Sequence, residues 1–386
     1  MSWKSIIGQK PQIRVLQNAL ETGRFAHAYL FTGPEGSGKE SLAFEIAAIL
    51  NCRSGGSGGS CGSCPDCLQI KEFMHQNVEY LFPVESALLD PGDLAKKENK
   101  RFLDAKERYD ALIEEKKLNP SFTPAMERSM GILTEQVVAL QHKATFMPGE
   151  GSKKIFIISQ AERLHPSAAN KLLKLLEEPP PHVLFILVSS RPDSVLPTIR
   201  SRCQVVKFSK VTALELRRWL QENRPEIIDP ELSFIISFSR GNLRLAWELI
   251  NNQDSSRAES PTIVLRNQAL DYLRKVLTPS RFHEAIQAAE EHAKNLSRSE
   301  LTLFIGALLL FFQDVTHRRI DPAFEGLNNP DITDSVDRFA KNFPAADFLL
   351  ISTAAEEAIR SIERNASPLL VMAGLSAELK GLLARG

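Results

Sequence analysis

Short, nearly continuous apolar runs stand at residues 28–31, 155–158 and 183–188, separated by stretches whose apolar positions recur at helical spacing. Runs of this kind suit strands buried on both faces, so the pattern predicts a parallel sheet with helices on each side. Beyond Phe208 the strand pattern stops. Residues 212–250 carry two or three helical patterns broken by Pro225, Pro230 and Gly241, residues 251–261 are polar and read as a linker, and the remainder is helix-patterned. Within that remainder Ser367-Pro368 supplies an N-cap and a proline at the first helical position. The expected organisation is an α/β domain over residues 1–208, a small helical domain over 209–255 and an all-helical domain over 256–386.

Composition changes this picture little. A chain of 386 residues with 43% hydrophobic and 24% charged positions is expected to form two or three domains. Lys+Arg equals Asp+Glu at 47 each, which argues against wholesale electrostatic capture of nucleic acid and leaves positional contacts open. The longest apolar run, residues 301–312, is shorter than the roughly 20 residues a membrane span needs, and the first residues lack a signal-peptide pattern. No membrane partner and a cytoplasmic location are therefore expected. Residues 88–117, dense in charges of both signs, read as a solvated helix or hairpin on the surface with no chemistry of its own.

Candidate chemistry begins directly after the first apolar run. Gly33-Pro-Glu-Gly36-Ser-Gly38-Lys39-Glu40 has the spacing of a Walker A phosphate loop, followed by a helical pattern from Ser41. In such a loop the glycines let backbone N–H groups turn toward phosphates, while the lysine and the helix N-terminus add positive charge. The position that should offer a hydroxyl to magnesium is instead Glu40, a carboxylate directed at a polyanion. Ser41 is no substitute, because one helical residue rotates the side chain by about 100°. Whether ATP or ADP occupies this altered loop stays open.

A working P-loop ATPase also needs acids at the end of the next core strand, one for magnesium and one to polarise water. Here the run at 155–158 ends in Ser159-Gln160, and Glu162 lies beyond the strand tip, where it reads as a surface residue. Hydrolysis by this chain is not expected. Cys52, Cys61, Cys64 and Cys67 follow C-x8-C-x2-C-x2-C, the close spacing that brings four thiolates around a structural Zn²⁺. Cys203 stands apart and reads as packing.

Ile6-Ile-Gly-Gln9, His27-Ala-Tyr-Leu-Phe-Thr-Gly33, the four-cysteine module after the P-loop helix, Asn170-Lys-Leu-Leu-Lys-Leu-Leu-Glu-Glu-Pro-Pro180 and Ser201-Arg-Cys203 together resemble the bacterial DNA polymerase III clamp-loader AAA+ subunits gamma, tau and delta-prime. The resemblance covers roughly residues 5–250 and is weaker over the C-terminal helices. It implies an AAA+ α/β domain with a zinc module at 52–67, a helical lid and a helical collar, in a five-membered ring with gamma/tau-like and delta-like subunits. Through that assembled complex the chain would meet the sliding clamp and primed DNA. Lacking the acids after the core strand, it sides with delta-prime. Arg202 matches the arginine finger that acts in trans on a neighbour's ATP, and Arg244, in Gly241-Asn-Leu-Arg244, matches the lid arginine that touches nucleotide. A gamma-like ATPase motor is the enzymatic alternative, opposed by Ser159-Gln160. A zinc-borne DNA-binding unit is opposed by a cysteine loop with one basic residue, Arg53, and no aromatic.

Overall fold

The computed structural model describes residues 3, 6–54, 58–89, 100–149, 151–251 and 260–384. Most of the polar 251–261 linker, residues 90–99 of the charged insertion and residues 55–57 of the cysteine module lie outside the described residues. The chain divides into two compact units, Met1–Leu216 with Gly241–Trp247, and Arg217–Arg240 with Glu248–Gly386. The expected 209–255 segment thus contributes residues to both.

The first unit is built on five strands: β1 (Ala28–Thr32), β2 (Val78–Leu81), β3 (Lys154–Ile158), β4 (Val183–Ser189) and β5 (Gln204–Lys207). They run in the order β2-β3-β4-β1-β5 with every neighbouring pair parallel. Three of these were legible as apolar runs. β2 and β5 were not, because both are four-residue edge strands with polar residues among their positions, such as Glu79 and Gln204. Helices α1 (Lys10–Glu21), α2 (Lys39–Asn51), α3 (Pro65–Lys71), α4 (Lys100–Leu118), α5 (Thr134–Ala144), α6 (Pro166–Glu177) and α7 (Pro197–Arg200) accompany the sheet.

Alternation along the inner strands builds two cores. Tyr29, Phe31, Ile155, Ile157 and Ile186 pack with Leu16 of α1 and Leu42 and Ile46 of α2. Leu30, Phe156, Ile158, Phe185 and Leu187 point the other way and pack with Leu140 of α5, Leu172 of α6 and Ile199 of α7. Each such side chain contributes about 1.5–3 kcal/mol when fully buried, which explains why both faces of the middle strands are apolar.

The charged insertion departs from expectation. Among its described residues is the helix α4, largely exposed as foreseen, but Tyr109 stacks on Phe82 with centroids 5.4 Å apart and Lys116 near the helix end is buried. Contrary to the reading of this segment as chemically silent, Lys116 pairs with Glu40 of the phosphate loop.

In the second unit the long helix Arg298–Ile320 is enclosed by Pro261–Leu277, Thr333–Asn342 and Phe348–Glu363, and Phe304, Leu308 and Phe312 lie at its centre. The apolar run at 301–312 lies within this 23-residue helix, which is long and apolar enough to cross a membrane; 67% of its most apolar window is buried inside the unit, as a core helix requires. Local polar chemistry sets its boundaries. Ser297 and Glu300 form a reciprocal capping box at its start, and Asp347 caps the helix Phe348–Glu363 by accepting from the Leu349 and Leu350 N–H groups. The last helix starts at Pro368 as the proline predicted, although Ser367 makes no side-chain cap bond.

Candidate functional site

The phosphate loop sits between β1 and α2, at the carboxyl end of the sheet where α/β folds place ligands. Gly33, Gly36 and Gly38 all adopt positive φ, as the loop geometry demands. Gly36 is the most constrained: a Cβ there would lie 1.8 Å from Asn242 Oδ1, and its carbonyl accepts from the Leu243 N–H at 2.9 Å. Residues 241–247 are thereby seated on the loop and carry Arg244 to the edge of the pocket. The cavity measures about 190 Å³ and includes Lys39, Glu40, Ser159, Gln160, Glu162 and Arg244 among its lining residues. Five of these, all but Glu162, were expected at a nucleotide site or its acid positions from sequence, and the fold brings them together.

Glu40 is the hub, and its surroundings invert the sequence expectation. Rather than facing phosphate, its carboxylate accepts hydrogen bonds from Ser159 Oγ, from Lys116 Nζ and, at 2.9 Å, from Tyr80 Oη. Both ionic partners are sealed, with side chains 4% exposed for Glu40 and 1% for Lys116. Lys116 Nζ also donates to the Pro120 and Phe122 carbonyls at 2.7 and 2.5 Å, so its three N–H bonds are committed. Burial depresses the Lys116 pKa while Glu40 opposes the shift, and burial together with the Glu40 charge pushes the Tyr80 hydroxyl well up. Sequence reasoning missed Lys116 and Tyr80. The available signal was Glu40 itself, since a buried carboxylate demands a cation.

The positions of the absent acids are also engaged internally. Ser159 directly follows β3 and donates to Glu40, while Gln160 Nε2 donates to the Pro124 carbonyl at 2.8 Å. Glu162 corrects the reading of a surface residue. Its side chain is 3% exposed, one carboxylate oxygen accepts from Ser190 Oγ at 3.1 Å, and Arg191 stands 3.9 Å away. Lys39 is folded back on its own loop, donating to the Gly33 and Pro34 carbonyls at 2.8 and 2.5 Å, and burial lowers its pKa to about 8. Arg244 lies over the Phe122 ring, 5.5 Å from the centroid. A P-loop's magnesium would need a hydroxyl at position 40 and a carboxylate at the end of β3; these residues do not fit it.

The cysteine module does fit its metal. The four sulfurs of Cys52, Cys61, Cys64 and Cys67 all lie within 4.8 Å of one another, with Cys52 to Cys64 at 3.8 Å and Cys61 to Cys67 at 3.9 Å. A tetrahedral zinc with Zn–S bonds of about 2.3 Å requires sulfur separations near 3.8 Å. Backbone N–H groups of Cys61 and Cys64 donate to the Cys52 and Cys61 sulfurs at 3.4 and 3.3 Å, which favours thiolate. Below the module, Glu45 of α2 accepts from the Ser60 N–H at 3.0 Å and ties the glycine-rich loop to the P-loop helix. Zinc would pin α3 to the end of α2, with no open position for catalysis. Cys203 is half-buried among the α5–α7 core residues, and burial pushes its thiol up to about 12, in keeping with packing.

Arg202 follows α7 on the same unit. Its side chain is 36% exposed and its guanidinium donates to Glu177 Oε1 at 2.7 Å and to the Thr198 carbonyl at 3.0 Å. Both partners are themselves exposed or half-exposed, so the group is held at the surface.

The sequence profile of the family described as DNA polymerase III, delta subunit, matches residues 8–212. The tau subunit of DNA polymerase III from Bacillus subtilis (strain 168) is 25% identical over 360 residues, covering 89% of this chain and 55% of its own length. The delta' subunit of the same organism is 27% identical over 266 residues, covering 69% of this chain and 66% of its own length. A solved gamma subunit-related protein of DNA polymerase III from Thermotoga maritima aligns over 96% of this chain and 99% of its own, at 15% identity and a TM-score of 0.41. This chain therefore spans between about half and two thirds of the length of the two Bacillus relatives. The profile match takes in the P-loop, the cysteine module, Ser159-Gln160 and Arg202, and on that ground the chain belongs to the DNA polymerase III delta-subunit family, within the clamp-loader AAA+ group its motifs resemble.

Proposed function

We propose that this chain is a delta-prime-like subunit of a clamp loader that does not hydrolyse ATP itself and lends Arg202 to the ATP site of a neighbouring subunit. The observation that carries the reading is the engagement of both acid positions. Ser159 is committed to Glu40 and Gln160 to the Pro124 carbonyl, leaving no carboxylate at the end of β3 to polarise water. The same residues speak against a gamma-like motor. Arg202 at the surface supports a role in trans, with Glu177 holding the guanidinium until a neighbour's phosphate competes for it.

The further parts of the reading follow from this role. The 209–255 segment acts as a lid, residues 256–386 as a collar, gamma/tau-like and delta-like subunits are the partners, and the sliding clamp and primed DNA are met through the assembled cytoplasmic complex. The test is reconstitution with Arg202→Ala and Arg202→Lys. Arginine fingers are worth about 10³–10⁵ in rate, and an ammonium lacks the planar fork that spans phosphate oxygens. Both variants should assemble and bind zinc as wild type does, while clamp loading falls more than total ATPase because the other sites keep their own fingers. Wild-type loading by an assembled Arg202→Ala complex would refute the role.

A further inference from the structure

The charged insertion supplies something the family resemblance does not account for. α4 delivers the Lys116 ammonium to the junction between the first turn of α2 and the end of β3, where P-loop proteins hold magnesium between a hydroxyl and an acid. The charges at that junction are exchanged as a set. The hydroxyl position carries a carboxylate, Glu40; the acid position carries a hydroxyl, Ser159; and the cation between loop and strand comes from the chain itself. We infer that Lys116 is a resident replacement for magnesium, and that this P-loop pocket is refractory to divalent cations.

Three further observations support the exchange. The Lys116 N–H groups are all taken, by Glu40, Pro120 and Phe122, so the ammonium is a fixed part of the pocket wall. Tyr80 Oη adds a third donor to Glu40, leaving that carboxylate little capacity to ligate a metal. The remaining acids in the lining are Glu35 and Glu162; the Arg191 guanidinium, 3.9 Å from the Glu162 oxygen that accepts from Ser190, disfavours a second cation there, although the other Glu162 oxygen is buried without a hydrogen-bond partner among the described residues. Segment 119–125 is shaped by the same ammonium and contributes Ser121, Thr123 and Ala125 to the pocket, so the insertion both closes the metal position and builds one side of the cavity.

The experiment uses zinc-loaded full-length protein in magnesium-free buffer, with and without added Mg²⁺. Magnesium prefers oxygen ligands and does not compete for thiolates, and elemental analysis of zinc confirms that the cysteine module is unchanged. The readouts are Tm and the affinity for a fluorescent ADP. For wild type neither should respond to Mg²⁺. Lys116→Met removes the cation and leaves Glu40 buried, so Tm should fall by about 5 °C or more and recover in part on adding Mg²⁺. If that variant fails to fold, the triple change Glu40→Thr, Lys116→Met, Ser159→Asp rebuilds the usual metal position, and its ADP affinity should become magnesium-dependent by about tenfold or more. A wild-type Tm or ADP affinity that rises with Mg²⁺, a Lys116→Met protein that melts like wild type, or a triple variant blind to Mg²⁺ would each overturn the inference. None of these outcomes bears on Arg202, whose test is clamp loading by the assembled complex.

Discussion

Replacing Glu40 by Gln keeps the side chain's shape and an acceptor oxygen but removes the one carboxylate that, among the described residues, is bonded to the Lys116 ammonium. With the lysine side chain 1% exposed and its other two partners neutral carbonyls, the variant leaves a charge buried without its counterion. Breaking a buried pair from one side costs about 3–5 kcal/mol, whereas removing both partners is close to neutral. Glu40→Gln/Lys116→Met should therefore be more stable than Glu40→Gln alone, with a coupling of about 2 kcal/mol. The sign of the pH dependence also follows. Burial already depresses the Lys116 pKa and Glu40 opposes that shift, so without Glu40 the depression deepens. The unfolded chain then binds more protons than the folded one, unfolding free energy rises with pH, and the deficit of Glu40→Gln should narrow as pH rises toward the ordinary lysine pKa. Because the chain has two compact units, amide hydrogen exchange at β3 complements the melting temperature by reporting the sheet unit directly. Equal β3 protection in wild type and Glu40→Gln, or a double variant weaker than the sum of the singles, would refute the reasoning.

The cysteine module should bind one zinc per chain, measured by elemental analysis of freshly reduced protein. Chelation should release α3 while leaving β3 protected, since the sheet core does not depend on the metal. Gly36→Ala places a Cβ 1.8 Å from Asn242 Oδ1 at a φ of +65°, so residues 241–247 should detach from the loop at a cost of about 1–3 kcal/mol, read as faster exchange of the Leu243 amide. Asp347→Ala removes the acceptor for the Leu349 and Leu350 N–H groups and should lower the stability of the helical unit by about 1 kcal/mol in urea unfolding.

Much of the architecture was legible because it rests on local rules. Short apolar runs with no polar positions suit strands inside a sheet covered on both faces, which identified β1, β3 and β4. Proline at a first turn marked the start of the last helix, and cysteine spacing alone specified a four-sulfur cluster that the fold indeed brings together. The short edge strands β2 and β5 were illegible because half-exposed pleats carry mixed residues whose pairing is decided by the neighbouring strand. Sequence also revealed that Glu40 was out of place in a phosphate loop, but not what would neutralise it. The answer lay 76 positions away, in a segment whose many lysines are equivalent as sequence. Only the packing of α4 distinguishes Lys116 from Lys117, which is partly exposed and paired with Glu114 and Glu72. Burial, a property of three-dimensional neighbours and not of residue type, turns one of these adjacent ammonium groups into part of the site and leaves the other at the surface.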